Sequence, residues 1–372
     1  MSTRDAWRTA RNVLAVRLDG MGDLLMTTPA LRALHEAVAG RRITLLASPS
    51  GAGVARALPF VADVVTFAAP WMKHPHDDAA AARTAALADE LAARRFDAAV
   101  VFTVFTQSAL PAALVLLLAG VPLRAAHARE NPYALLTDWV AETDVDAREG
   151  VRHEVRRQLD LVAALGAPAT DERLTFPVER EASERVARRL AAAGIEPGRP
   201  FLVLHPGATA ASRRYPPASY GAGAAVLAGA GWPVVVTGGH EDADAVATIR
   251  AAAPAVRMLA GEPTVAELAA LLAQASAVIA NNSFAAHLAA AVGTPVVDLY
   301  ALTNPQHTPW GVPHRVLFRD VDCRFCFKSV CPAGHHRCLA DVPPAAIVEA
   351  VEDLVGAAVR QAPVGDPVGA AA

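Results

Sequence analysis

Three stretches of this sequence place small, hydroxylic and basic residues directly after short apolar runs. They are HPGATAASRRYP from His205 to Pro216, TGGHED from Thr237 to Asp242, and NNSFAAHLAAAVGTP from Asn281 to Pro295. Such turns suit a phosphate, because a helix that starts there leaves backbone N–H groups unpaired and is positive at that end. Thr209 and the backbone at Gly207 and Ala208 offer neutral donors. Arg213 or Arg214 offers a cation that can grip phosphate at two points. Asn282 or Ser283 opens the helix that carries Phe284 and His287. A pair of adjacent arginines is equally ordinary on a solvated surface, and a lone histidine on an alanine-rich helix is an ordinary structural residue. Glu241 suits ribose hydroxyls or a helix dipole, with His240 and Asp242 as alternatives. A fourth turn, Gly20-Met21-Gly22-Asp23, ends in a carboxylate that suits two tasks: taking a proton from an attacking hydroxyl, or capping a helix.

The elements that position these turns follow from the apolar runs before them. Phe201–Leu204, Val234–Thr237 and Ala277–Ala280 are short, rich in Val, Ile and Leu, and stop abruptly, which is how parallel strands buried on both faces read. The first half alternates VLAVRL, a helix over Thr28–Ala39, ITLLAS, a helix over Gly51–Leu58, VADVVTF, a helix over Ala79–Arg95, and AAVVFTVF with a helix from about Ser108. This βαβ series predicts a parallel sheet with helices on both faces. A second series restarts at Phe201, after a charged helix over Glu179–Ala193 that Gly194, Pro197 and Pro200 bring to a stop. Two Rossmann-like domains are therefore expected, 1–175 and 176–356, with a disordered Pro/Gly/Ala tail over 357–372. In open α/β sheets ligands bind beyond the carboxyl ends of the strands, so the turns above should face a cleft.

Composition narrows the partners. The chain has 372 residues, 53% hydrophobic and 19% charged, enough for two moderate cores. A formal net charge of −3 lacks the basic footprint that nucleic-acid binding needs. Lys73 and Lys328 are the two lysines, so an anion-binding cation here is expected to be arginine. The N-terminus does not read as a secretory signal. The apolar window Ala98–Val121 is broken by Thr106, Gln107, Ser108 and Pro111, so it reads as a strand and a helix rather than a membrane span. A cytoplasmic monomer, at most peripheral to the inner face of the membrane, is expected.

RLDGMGDLLMTTPALRAL at Arg17–Leu34, HPGATAASRRYPP, TGGHED and NNSFAAHLAAAVGTPVVDLY occur in the order in which similar motifs occur in glycosyltransferase family 9, which this chain resembles from about Val13 to Leu354. The resemblance implies a GT-B fold and an inverting, metal-independent transfer of a sugar, typically heptose from ADP-heptose, to an acceptor hydroxyl of a cell-envelope glycan or related glycoconjugate. It implies Asp23 as the catalytic base, and Thr209, Arg213, Glu241, Asn282, Ser283, Phe284 and His287 as donor-site positions. Arg213 stands where similar enzymes carry a lysine. Asn282 and Phe284 depart from the pattern, which has Asp and Gly there; phenylalanine adds bulk where glycine would admit the phosphates. Arg17, Arg124 and Arg129 are the acceptor-side candidates. Cys323, Cys326, Cys331 and Cys338 lie together in DCRFCFKSVCPAGHHRC, beside His335 and His336. This spacing allows a structural zinc site or reduced structural thiols, and the transfer needs neither. A nucleotide-sugar epimerase of the same architecture, or a non-catalytic nucleotide-sugar binder, is the alternative.

Overall fold

The computed structural model describes residues 3–73, 77–142, 152–259, 261–303 and 305–361. Among them are two six-stranded sheets, paired in parallel throughout. The first contains β1 Asn12–Arg17, β2 Arg42–Ala47, β3 Val61–Thr66, β4 Ala98–Phe102, β5 Leu123–Ala128 and β6 Asp138–Ala141, in the order β3-β2-β1-β4-β5-β6. The second contains β7 Leu202–His205, β8 Val234–Val236, β9 Arg257–Met258, β10 Ala277–Asn281, β11 Val296–Leu299 and β12 His314–Leu317, in the order β12-β11-β10-β7-β8-β9. Counted from its own first strand, each sheet has the order 3-2-1-4-5-6. This is the doubly wound arrangement whose crevice opens where the winding reverses. The reversal lies between β1 and β4 in one sheet and between β7 and β10 in the other. The turns after β1, β7 and β10 are the ones singled out by their residue types.

One buried cluster runs through both domains. It contains Leu24, Leu25 and Leu31 from helix Met21–Glu36, Leu159 from Glu154–Ala164, Leu190 from Arg180–Ala192, Leu271 from Val265–Gln274 and Leu288 from Phe284–Ala291. Each such side chain contributes about 1.5–3 kcal/mol of burial, so the inner faces are held by a shared core. The outer faces carry separate clusters, around Leu91 and Leu116 in the first domain and Tyr220 and Leu354 in the second. The chain crosses between domains along helix Met21–Glu36. There Arg32 donates to the carbonyls of Asp171 (2.7 Å) and Arg173 (2.9 Å), and Thr175 N donates to Thr28 Oγ1 (2.9 Å).

The expected helix over Thr28–Ala39 begins earlier, at Met21, and ends at Glu36. Pro29 reads as a first-turn residue in sequence but lies inside the helix. The carbonyl its missing N–H would have served, that of Leu25, accepts instead from the Thr28 hydroxyl at 2.7 Å. Asp23 consequently falls in the first helical turn. The last helix, Pro344–Gln361, continues past the expected start of the tail at 357, and residues 362–372 lie outside the described residues.

Candidate active site where the two switch points face each other

The first switch point is organised by charge. Arg17 ends β1 with 1% of its surface exposed, its Nε 3.1 Å from Asp19 Oδ2 and its Nη2 3.6 Å from Asp23 Oδ1. It is therefore a buried counter-ion to two carboxylates rather than an open cation awaiting an acceptor. Asp23 keeps more exposure, and its Oδ2 accepts from Gly20 N at 3.2 Å, a one-way cap on helix Met21–Glu36 because glycine has no side chain to return it. Burial pushes the Asp19 carboxyl up to about 6; Arg17 opposes this, the Asp23 charge adds to it, and a Gln107 hydrogen bond opposes it. Asp19 Oδ1 has no hydrogen-bond partner among the described residues and borders a hollow lined also by Thr103, Gln107 and Ser108 at the end of β4. Glu154 shapes that rim, because its Oε1 accepts from Phe105 N at 2.8 Å.

The second switch point supplies donors. Asn281, fully buried at the end of β10, fixes the loop after β7: its Nδ2 donates to Pro206 O (2.6 Å) and its Oδ1 accepts from Tyr215 N (2.9 Å) and the Tyr220 hydroxyl (2.8 Å). Arg213 ends the short turn Ala211–Arg213 and is half-buried, with its Nε buried and unpartnered among the described residues. Its charge depresses His287 and His307 and lowers the carboxyl of Asp298 against burial. Arg214 is exposed and ties back to Ala208 O at 2.7 Å. The two adjacent arginines are thus separated, one facing inward and one holding the loop. Ser283 occupies the N-cap position of helix Phe284–Ala291 without a side-chain cap bond, and Asn282 Nδ2, Ser283 Oγ and His287 Nδ1 are buried without partners among the described residues. Phe284 packs against the shared core.

The two switch points touch. A Cβ placed on Gly22 would lie 2.8 Å from His287 Cδ2, so the first turn of one domain's helix rests on the imidazole of the other. Burial pushes His287 down to about 3, with His307 adding and Asp23 opposing. His307, after β11, and His153, before helix Glu154–Ala164, are each pushed down to about 4, chiefly by burial. All three are neutral rings at neutral pH. Asp298, fully buried on β11, is raised by burial, and both its oxygens lack partners among the described residues. Buried polar atoms without partners are rare unless something binds them, and Arg213, Asn282, Ser283, His287, Asp298 and His307 all carry such atoms.

The remaining expected residues fall out as follows. Thr209 and Glu241 are exposed at the rim of the second domain. Asp242 is the acid that turns inward, accepting from Gly239 N at 3.0 Å; a Cβ on Gly207 would lie 2.5 Å from its Oδ2. Arg124 is withdrawn from the acceptor set: its guanidinium donates to the carbonyls of Leu135, Val121 and Ala134, and it is buried on β5. Arg129 is exposed over the Phe105 ring, 4.9 Å from its centroid, beside the loop after β4. The four cysteines are free, and among the described residues no three His, Cys, Asp or Glu side chains group closely enough to hold a metal ion. Asp19, Gln107, His153, His307 and Asp298 were not singled out in the sequence. Asp19 alone had a local signal, two residues from Arg17 in the same motif.

The family model described as glycosyltransferase family 9 (heptosyltransferase) matches residues 84–336. Lipopolysaccharide heptosyltransferase 2 of Escherichia coli (strain K12) is 28% identical over 281 residues, covering 72% of this chain and 78% of that protein. Among solved structures, the E. coli ADP-heptose LPS heptosyltransferase II superposes with a TM-score of 0.71 at 23% identity, over 94% of this chain and 99% of that one. A glycosyl transferase family 9 protein from Veillonella parvula DSM 2008 superposes with a TM-score of 0.75 at 18% identity, over 96% and 100%.

Proposed function

This chain belongs to glycosyltransferase family 9, with the GT-B fold, and from that premise we propose that it moves heptose from ADP-heptose to a hydroxyl of a cell-envelope glycan, with inversion and without a metal ion. The observation that carries the reading is that Asp23 of one domain and Arg213 of the other both act on the buried His287, with the Gly22 backbone lying against its ring. Asp23 is the proposed base: it is the more exposed of the two carboxylates that share Arg17, and when it takes the acceptor's proton Asp19 remains as the guanidinium's counter-ion. Arg213, the unpartnered side chains of Asn282 and Ser283, and the N-terminus of helix Phe284–Ala291 supply the donors that a departing diphosphate requires. Phe284, packed on the core, leaves the helix N-terminus available, which supports a working donor site despite the two departures from the motif. Arg129 stays on the acceptor side of the proposal.

No helix among the described residues is long and apolar enough to cross a membrane. Leu114, Leu117 and Leu118 nevertheless stand exposed on helix Leu110–Leu118, a surface compatible with peripheral contact at the inner leaflet. Calorimetry against ADP-heptose, UDP-glucose, GDP-mannose and ADP, with and without EDTA, tests the reading. Selective, EDTA-insensitive binding of ADP-heptose is expected. Preference for another nucleotide sugar would reassign the donor, and binding of none would leave the chain a non-catalytic relative.

A further inference from the structure

The cysteine-rich segment between β12 and the last helix has no part in the proposed transfer, yet it holds the residue next to Arg213 at every polar atom. Ser212 N donates to Ser329 O (3.1 Å), Ser212 Oγ donates to Lys328 O (2.5 Å), and Ser212 O accepts from His336 Nε2 (2.7 Å). Ser212 is buried, so these bonds replace the ones water would make. The segment is in turn fastened to the second sheet. Phe327 N donates to Leu302 O (3.2 Å) in the turn after β11, and Arg319 N, just past β12, donates to Cys338 O (2.8 Å).

The direction of Arg213 is inherited from its neighbours. Its Nε is buried without a partner among the described residues, so no bond at that atom aims the guanidinium. The backbone is fixed on either side of it. Beyond it, Tyr215 N donates to Asn281 Oδ1 (2.9 Å) at the end of β10; before it stands Ser212. Of the three bonds that hold Ser212, two use backbone carbonyls of the segment, and the third comes from its one contributing side chain, His336. His336 lies in the left-handed region, at φ 50° and ψ 25°, immediately before helix Arg337–Ala340, and from there its ring reaches Ser212 O. Because a carbonyl only accepts, Nε2 carries the proton.

We propose that His336 is a positioning residue for the donor: by holding Ser212 it sets the direction of Arg213, and with it the affinity of that guanidinium for the diphosphate of a nucleotide. Without the imidazole, Ser212 O is buried with no donor, and the short turn Ala211–Arg213 must shift to satisfy it. Arg213 then leaves the one direction in which it meets the diphosphate.

This inference rests on the reading of Arg213 as a donor-site cation. Calorimetry of the full chain with ADP, beside urea unfolding, tests it. His336→Ala should raise the Kd for ADP about 2- to 10-fold, the equivalent of one neutral hydrogen bond. His336→Gln should recover most of that loss, because its amide donates from a similar reach. Alanine and glutamine suit the left-handed backbone equally poorly, so their difference reports the bond and not the strain. In an Arg213→Ala background, His336→Ala should change ADP affinity no further. Wild-type affinity in a folded His336→Ala variant, equal losses in the two His336 variants, or an undiminished loss in the Arg213→Ala background would each overturn the proposal. If urea unfolding shows that His336→Ala does not fold, Ser212→Ala removes another of the three bonds and should raise the Kd by a smaller factor that Arg213→Ala abolishes; wild-type affinity there overturns the proposal equally. Wild-type ADP affinity in Arg213→Ala itself would refute the donor site and the positioning role together. Faster hydrogen exchange at Ser212 N in ADP-free His336→Ala would then show a bond that holds the loop and serves no donor.

Discussion

Asp23 performs two tasks that different substitutions separate. As the third residue of its helix it accepts from Gly20 N; as a carboxylate 3.6 Å from Arg17 it is the proposed base. Asparagine keeps an acceptor for the cap and cannot take the proton. Asp23→Asn should therefore lower kcat about 100- to 10,000-fold while donor affinity and the urea midpoint stay close to wild type. Asp23→Ala should lose the same activity and in addition about 1 kcal/mol of stability. Steady-state kinetics beside urea unfolding distinguish the two, and full turnover by Asp23→Asn would end the mechanism. The arginine pair gives a second contrast. Arg213 faces the cleft with a buried, unpartnered Nε, whereas Arg214 is exposed and bonded to Ala208 O. A charge-assisted hydrogen bond contributes about 1.5–3 kcal/mol, so Arg213→Ala should raise the donor Kd by about 10- to 100-fold and Arg214→Ala far less. Equal losses in calorimetry would mean that the pair acts as diffuse charge.

At the level of elements, the start of helix Met21–Glu36 lies against helix Phe284–Ala291 at Gly22, where an added methyl would stand 2.8 Å from the His287 ring. The ring is buried, so Gly22→Ala should cost about 1–3 kcal/mol by overpacking. His287→Ala in the same chain should relieve much of that cost. A double-mutant cycle on urea midpoints measures the coupling, and strict additivity would mean the two helices do not meet as described. This contact also shows where sequence reading stops. The apolar runs at β1, β4, β7 and β10 and the turns beyond them were legible because central parallel strands are buried on both faces. The Ala-rich β5, the half-exposed β6 and the two-residue β9 carry no such run. Asp23 and Arg213 stood in local motifs. His153, His307 and Asp298 reach the site only through the packing of one domain on the other, which no local pattern encodes. Arg124 went the opposite way, since nothing in its sequence context shows that three nearby carbonyls occupy its guanidinium.

In the whole molecule, the seam between the domains is stitched by neutral histidines. His153 Nε2 lies 2.9 Å from Thr308 O and its ring stacks 4.6 Å from Trp310, whose indole donates to Glu172 O at 2.8 Å. His307 and His287 complete the seam beneath the cleft. Burial holds these three rings near 4, 4 and 3, whereas an unfolded histidine titrates near 6.5. Their stabilising effect is complete above about pH 6.5 and is lost as pH falls toward 4, because in that window the unfolded chain binds protons that the folded chain refuses. Asp19 works in reverse: its folded value near 6 exceeds the ordinary carboxylate value, so it favours the folded state more as pH falls from 6 to 4. The raised carboxyl of Asp298 acts in the same sense as Asp19, while burial also depresses His127 and His205, so five imidazoles stand against two carboxyls and the net effect between pH 7 and pH 5 is a loss of stability. Urea midpoints should therefore fall on acidification across that range, and His307→Asn should flatten the slope by about one proton's worth. Because the shared core joins helices from both domains, the loss should appear as one cooperative transition rather than separate melting of each domain. A midpoint unchanged between pH 7 and pH 5 would mean that water reaches the rings and that the seam opens in solution.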